Sequence, residues 1–230
     1  MSRLLLATTL GIVFASAAPA AGPDAGKAEA ALKKAGAVLT RDAKQEGNPV
    51  VGVALKGDEV RDGLLEQVQA FPHLQSLELT DTLVTSNGLA SLKGMAELKK
   101  VVLNDNLVKD EGMEHLAALP ALEWLEVVRE DVTDKGAEAL KGATKLKHLS
   151  FRLSHVGDDG LEHLKDLKNL EFLDIYQTNV KGRGLKHLEG LTKLKQLEID
   201  PNRVDDDAVK RLVKALPMLK VAQANEKVID

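Results

Sequence analysis

Six histidines, a late cluster of carboxylates and one tryptophan are the residues of this 230-residue chain with which chemistry could be done. Cysteine is absent, which removes disulfides, thiolate metal sites, iron–sulfur clusters and a cysteine nucleophile. His115, His163 and His187 are separated by multiples of 24 residues, as a surface residue of a repeat would be. A metal would need their nitrogens to converge at about 2 Å from one ion, which side chains on separate parallel helices do not manage. His148 has Ser150 two residues away, and a working Ser–His pair needs contact within about 3 Å. Asp174 and Glu198 on neighbouring strands would stand about 5 Å apart, the separation of a retaining glycosidase pair. An open sheet, however, offers no cleft to desolvate one acid and raise its pKa. Asp205, Asp206 and Asp207 read as a solvated acidic end with at most a loose affinity for calcium. No Gly-rich phosphate loop, zinc motif or nucleophile elbow occurs. The expectation is a protein that is not an enzyme and takes no metal or cofactor.

The elements that hold these residues follow from a repeat of 24 residues, which brings apolar residues into columns. One column runs Val53, Leu77, Val101, Leu125, Leu149, Leu173, Leu197, and two residues on comes Leu55, Leu79, Leu103, Val127, Phe151, Ile175, Ile199. Another is valine throughout, at Val60, Val84, Val108, Val132, Val156, Val180 and Val204. Each row has two halves. Leu74, Leu77 and Leu79 end in the alternation of a short strand, and Gly88-Leu89 with Leu92 has the spacing of a helical stripe. Ahead of that stripe stand Asp62, Ser86, Asp110, Asp134, Asp158, Gly182 and Asp206, all favoured helix N-caps. A strand and a helix in fixed order every 24 residues means parallel strands about 4.8 Å apart with helices outside.

Val132-Thr133-Asp134-Lys135-Gly136, and most of the row from Leu74 to Leu92, resemble the bacterial leucine-rich repeat proteins whose rows read L-x-x-L-x-L-x-x-T-x-V-T-D-x-G-L-x-x-L. The resemblance, to the ribonuclease-inhibitor-like class, covers about Asn48 to Leu219. It implies an α/β fold: a right-handed solenoid with parallel strands on the concave face and short helices on the convex face. The polar position after the strand, often Asn in the family, reads Thr82, Asn106, Glu130, Ser154, Thr178, Asn202. A side-chain ladder there is expected to be irregular, with Glu130 its doubtful rung.

Residues 1–20 have the three parts of a secretory signal: Arg3, an apolar stretch from Leu4 to Phe14, and small residues for cleavage after Ala17 or Ala20. The stretch falls short of the roughly 20 residues that span a bilayer, so no membrane insertion is expected after cleavage. The mature chain is read as secreted or periplasmic. Residues 21–47 are then a linker with an N-terminal capping helix and strand, 48–215 seven repeats, and 216–230 a C-terminal cap in which the repeat spacing slips by two residues. With 31 Lys and Arg against 35 Asp and Glu, the net charge of −4 gives no electrostatic reason to expect nucleic acid.

Outward strand positions form three concave columns: Gly52, Ser76, Lys100, Trp124, His148, Phe172, Gln196; then Ala54, Glu78, Val102, Glu126, Ser150, Asp174, Glu198; then Lys56, Thr80, Asn104, Val128, Arg152, Tyr176, Asp200. Aromatics make up only 3% of the chain, yet Trp124, Phe172 and Tyr176 gather in these columns in neighbouring rows. Trp124, His148 and Phe172 should line up across about 10 Å, flanked by Val102, Val128 and Tyr176. Lys100, Arg129, Arg152, Glu126 and Asp174 would rim them. An aromatic centre with a charged rim is how binding hot spots are built. The reading is a macromolecular, protein-binding concave face. Its rivals are a carbohydrate module stacking sugars on these rings, and a spacer without ligand.

Overall fold

The computed structural model describes residues 24–223; the segment read as a signal peptide and the last seven residues lie outside the described residues. Alternating apolar residues favour extended backbone, which puts every second side chain on one face. The strands are β1 (Val38–Arg41), β2 (Val50–Lys56), β3 (Ser76–Thr80), β4 (Lys100–Asn104), β5 (Trp124–Val128), β6 (His148–Ser150), β7 (Phe172–Asp174), β8 (Gln196–Ile199) and β9 (Lys220–Gln223). They form one open sheet in chain order, with β1 antiparallel to β2 and every later pair parallel. Each parallel pair keeps the 24-residue register: Ser76 sits beside Lys100, Lys100 beside Trp124, Trp124 beside His148, His148 beside Phe172, and Phe172 beside Gln196. Leu77, Leu79, Val101, Leu103, Leu125, Val127, Leu149, Leu173 and Leu197 are all fully buried on the other face. Each buried leucine is worth about 1.5–3 kcal/mol, so a slip of one residue would forfeit the core of a whole row.

The second half of each row packs on this face. Helices α1 (Ala25–Lys34), α2 (Asp62–Leu65), α3 (Asp110–Ala117), α4 (Asp134–Ala139), α5 (Asp158–Glu162) and α6 (Asp206–Ala215) alternate with or run into 3₁₀ turns. In two rows, at Gly88–Leu92 and Arg183–Leu188, a 3₁₀ turn replaces the expected helix altogether. A further apolar column, Phe71, Met95, Leu119, Ala143, Leu167 and Leu191, closes the core beneath the helix ends and is buried throughout. It has the same 24-residue period and was there to be read. At the C-terminal end, Leu216 and Leu219 absorb the altered spacing before the strand, so that β9 is back in register, with Leu197 beside Val221.

Two expectations are corrected at the turns. The residue column expected to cap the helices is, in most rows, the first helical residue, and the cap falls one position earlier at Arg61, Lys109, Thr133, Gly157 and Asp205. The aspartates reach forward into the next row instead. Asp62 accepts from Thr85 N at 2.8 Å and Thr85 Oγ1 at 2.7 Å. Asp110 does the same with Thr133 and also takes Gly136 N at 2.9 Å. Asp134 accepts from Gly157 N at 2.6 Å, and Asp158 from Gly182 N and Gly184 N at 3.0 and 2.8 Å. Stacking brings the next row's free N–H groups within reach of each carboxylate, and charge-assisted bonds between rows result. This approach demands glycine: a Cβ on Gly184 would lie 2.4 Å from the Asp158 backbone oxygen.

The second correction concerns Glu130, which is a fully engaged rung of the polar ladder, bonded through both oxygens. It is 3% exposed, and its Oε1 accepts from the backbone and side-chain nitrogens of Asn106 at 2.7 and 2.8 Å. Oε2 accepts from Val108 N at 3.0 Å. Its longer side chain reaches back a full row to the Asn106 and Val108 backbone N–H groups, whereas Asn106 in the same column reaches back to the Leu79 carbonyl. Burial pushes its carboxyl above the usual range, opposed by these N–H donors.

Candidate functional site on the concave sheet

The strand register places Trp124, His148 and Phe172 side by side, and their rings close the remaining gap by stacking. Trp124 and His148 have centroids 3.5 Å apart and planes within 5°; His148 and Phe172 are 4.1 Å apart and within 1°. The three rings form one pile along the solenoid axis, with their edges rather than their faces turned outward. Trp124, at the end of the pile, is 38% exposed. Lys100 brings its Nζ to 5.6 Å from the Trp124 ring centroid while pairing with Glu78 at 2.7 Å. Lying between two rings, His148 is held neutral: burial, and secondarily the charge of Lys100, pull its pKa down to about 4.

Around the pile the polar groups are bonded in a definite order. Glu126 Oε1 accepts the indole N–H of Trp124 at 2.7 Å and lies 3.5 Å from His148 Nε2. Arg152 bridges two rows, its Nε 2.9 Å from Asp174 and its Nη2 3.2 Å from Glu198, while its guanidinium covers the Tyr176 ring at 4.4 Å. Asp174 is only 5% exposed and so lies beneath Arg152 rather than on an open rim. Burial raises its pKa, against the pull of the Tyr176 N–H and of Arg152. Ser150 donates to Asp174 at 3.3 Å, so its hydroxyl is directed to that carboxylate and not to His148.

The remaining residues expected at the site divide. Val128 stands half-buried beside Asn104 in the third column, and Val102 is 7% exposed, part of the floor. Arg129 has left the sheet. It occupies a left-handed turn position (φ 57°) that recurs at Asp81, Asp105, Leu153 and Gln177, and it pairs with Asp105 at 2.7 Å. Arg152 and Tyr176 lie just past the three-residue strands β6 and β7, so the third column is irregular there. No group of three or more metal-ligating side chains occurs among the described residues. A hollow of about 750 Å³ lies along the turns and not on the sheet. Its Asp134 and Asp158 are bonded to backbone N–H groups, and its Arg183 to Asp159, which matches much of its charge internally.

Comparisons with known proteins agree with the repeat architecture. The family model described as Leucine Rich repeat matches residues 142–165, the length of one repeat. The chain has the leucine-rich repeat fold. No curated protein matches it. Of 225 matching chains of known structure, one is internalin C2 from Listeria monocytogenes str. 4b F2365, with 21% identity, a TM-score of 0.58, and coverage of 75% of this chain and 70% of that one. At that identity the likeness establishes the leucine-rich repeat architecture alone. A scaffold of this kind suits interaction with other proteins, and its chemistry has to be argued from the concave side chains.

Proposed function

We propose that this leucine-rich repeat chain is an exported, non-catalytic binding protein whose concave face engages a macromolecular partner, a protein. The observation that carries the reading is the aromatic pile of Trp124, His148 and Phe172 at the centre of the sheet. Rigid rings with few rotors lose little entropy on binding, and a cluster of them ringed by bonded charges is the pattern of an interface hot spot. The same pile argues against the carbohydrate alternative. A sugar stacks on a ring face, but both faces of His148 are covered by its neighbours, and Lys100 sits over Trp124 and Arg152 over Tyr176. The ring edges, with the one face of Phe172 turned away from His148, suit apolar and hydrogen-bonding groups of a polypeptide. In support of a non-catalytic role, the Ser150 hydroxyl is turned to Asp174, and Arg152 lies between Asp174 and Glu198.

Export rests on the sequence of residues 1–20, and among the described residues no helix is long and apolar enough to cross a membrane. Protein recovered from outside the cytoplasm is expected to begin at Ala18 or Ala21; an intact Met1 would contradict this. The interface is tested by crosslinking in the native envelope, followed by binding of the captured protein to purified variants. Trp124→Ala and Phe172→Ala are each expected to weaken that binding by about 2 kcal/mol or more, roughly thirtyfold. A captured protein held equally by both variants would remove the concave site, and tight, Trp124-dependent binding on a glycan array would replace the protein reading with the carbohydrate one.

A further inference from the structure

Among the carboxylates of the three concave columns, four have a cation of the chain beside them. Glu78 has Lys100 at 2.7 Å, Asp174 and Glu198 share Arg152 at 2.9 and 3.2 Å, and Asp200 has Arg203 at 3.5 Å. Glu126 is the exception among the described residues. Its neighbours are the indole N–H of Trp124 and the imidazole of His148, which is neutral at pH 7. Both contacts fall on Oε1; no hydrogen bond from the described residues reaches Oε2. Glu126 also stands in the middle of the proposed interface, with its side chain 26% exposed beside the aromatic pile. A partly desolvated carboxylate held in place by one indole N–H, and flanked by aromatic rings, is an incomplete ion pair.

We propose that the partner completes it, inserting a lysine or arginine side chain onto the free oxygen of Glu126 at the edge of the Trp124–His148 stack. This rests on the concave-face reading above and adds the chemistry of the residue that the face selects. A partner cation at that point gains a charge-assisted bond in a site that binding itself shields from water. Its stem packs against the ring edges, as long basic side chains do on apolar surface. An acidic or neutral side chain there would leave Glu126 buried without a counter-charge, which makes the site selective as well as attractive.

Trp124 is the only tryptophan, so its indole N–H gives one assignable NMR cross-peak, bonded directly to the carboxylate in question. Capped Gly-X-Gly tripeptides, with X arginine, lysine or glutamine, are titrated into the full chain at low salt. The arginine and lysine peptides are expected to move this cross-peak saturably, with apparent Kd at least fivefold lower than the glutamine peptide. Glu126→Gln keeps the acceptor for the indole and the side-chain size, and should bring the three peptides within twofold. Equal binding of arginine and glutamine peptides to the wild type, or a preference that survives in Glu126→Gln, would overturn the inference. The two readings fail separately: an envelope protein that depends on Trp124 and Phe172 but binds Glu126→Gln unchanged would leave the interface standing and remove its cationic anchor.

Discussion

The turn edge and the concave centre are built by the same repeat and resolve their charges in opposite ways. Along the turns, Asp62, Asp110, Asp134 and Asp158 each give at least one oxygen to backbone N–H groups of the following row, threonine hydroxyls take the second oxygens of Asp62 and Asp110, and Glu130 spends both of its oxygens on the preceding row. These bonds tie rows together and leave little for a partner to satisfy. On the sheet, side chains of adjacent rows pair only where the types happen to match. Lys100 meets Glu78 and Arg152 meets Asp174, but Glu126 meets rings. Backbone groups recur in every row, so a ladder that uses them closes automatically. Side-chain pairs do not recur, and what they leave open is where binding can be specific.

Substitutions can break this comparison. The largest effect belongs to the core shared by both regions: Leu125→Ala, at a fully buried position mid-stack, is expected to cost about 2–5 kcal/mol in urea melts. Next comes the ladder. Asp110→Ala strands the Thr133 and Gly136 N–H groups and should cost about 2 kcal/mol, more than loss of a solvated helix cap. An effect near zero would mean that the turn edge is no more closed than the sheet.

A pH experiment sharpens the contrast at the pile. The pKa of His148 falls from the usual 6.5 to about 4 in the fold. Between those values the unfolded chain binds the extra proton and the folded chain does not, so this group's contribution is present above pH 6.5 and lost as pH drops towards 4. Asp174 and Glu130, whose pKa values are raised, contribute with the opposite sign, so the comparison is made against His148→Phe. From pH 7 to 4.5 the wild type should lose about 2 kcal/mol more than this variant; parallel losses would mean that the imidazole is solvated.

The smallest stability effects are reserved for the candidate interface. Trp124→Ala removes one partner of the stack and should lower stability by about 1 kcal/mol while abolishing most partner binding. His163→Ala on the convex side should change stability by less than about 0.5 kcal/mol and leave binding intact. Unfolding of Trp124→Ala would reassign the ring to the core.

Much of this was legible because period and polarity are properties of the chain. The 24-residue columns set the strand register pair by pair, and the alternation at Trp124 and Leu125 predicted which of the two would face outward. The alignment of Trp124, His148 and Phe172 followed from counting alone. Where the reading failed, it failed on reach. Asp134 looks like a cap when only its own row is considered, and Glu130 looks misplaced beside the Asn and Thr of its column. Their partners lie 22 to 24 residues away, brought close only by stacking.

The sequence by itself determined the architecture of this protein, because a repeated pattern of burial leaves one way to stack seven rows without exposing leucine. It also determined which residues the concave face would carry. The tertiary structure decided what those residues do to one another: that three rings pile edge-outward, that Arg152 covers Tyr176 and bridges Asp174 to Glu198, and that Arg129 turns away at a left-handed position. It alone left Glu126 without a cation. Side-chain directions and pairings across rows depend on distances of a few ångströms between residues far apart in the chain, and no spacing along the chain encodes these.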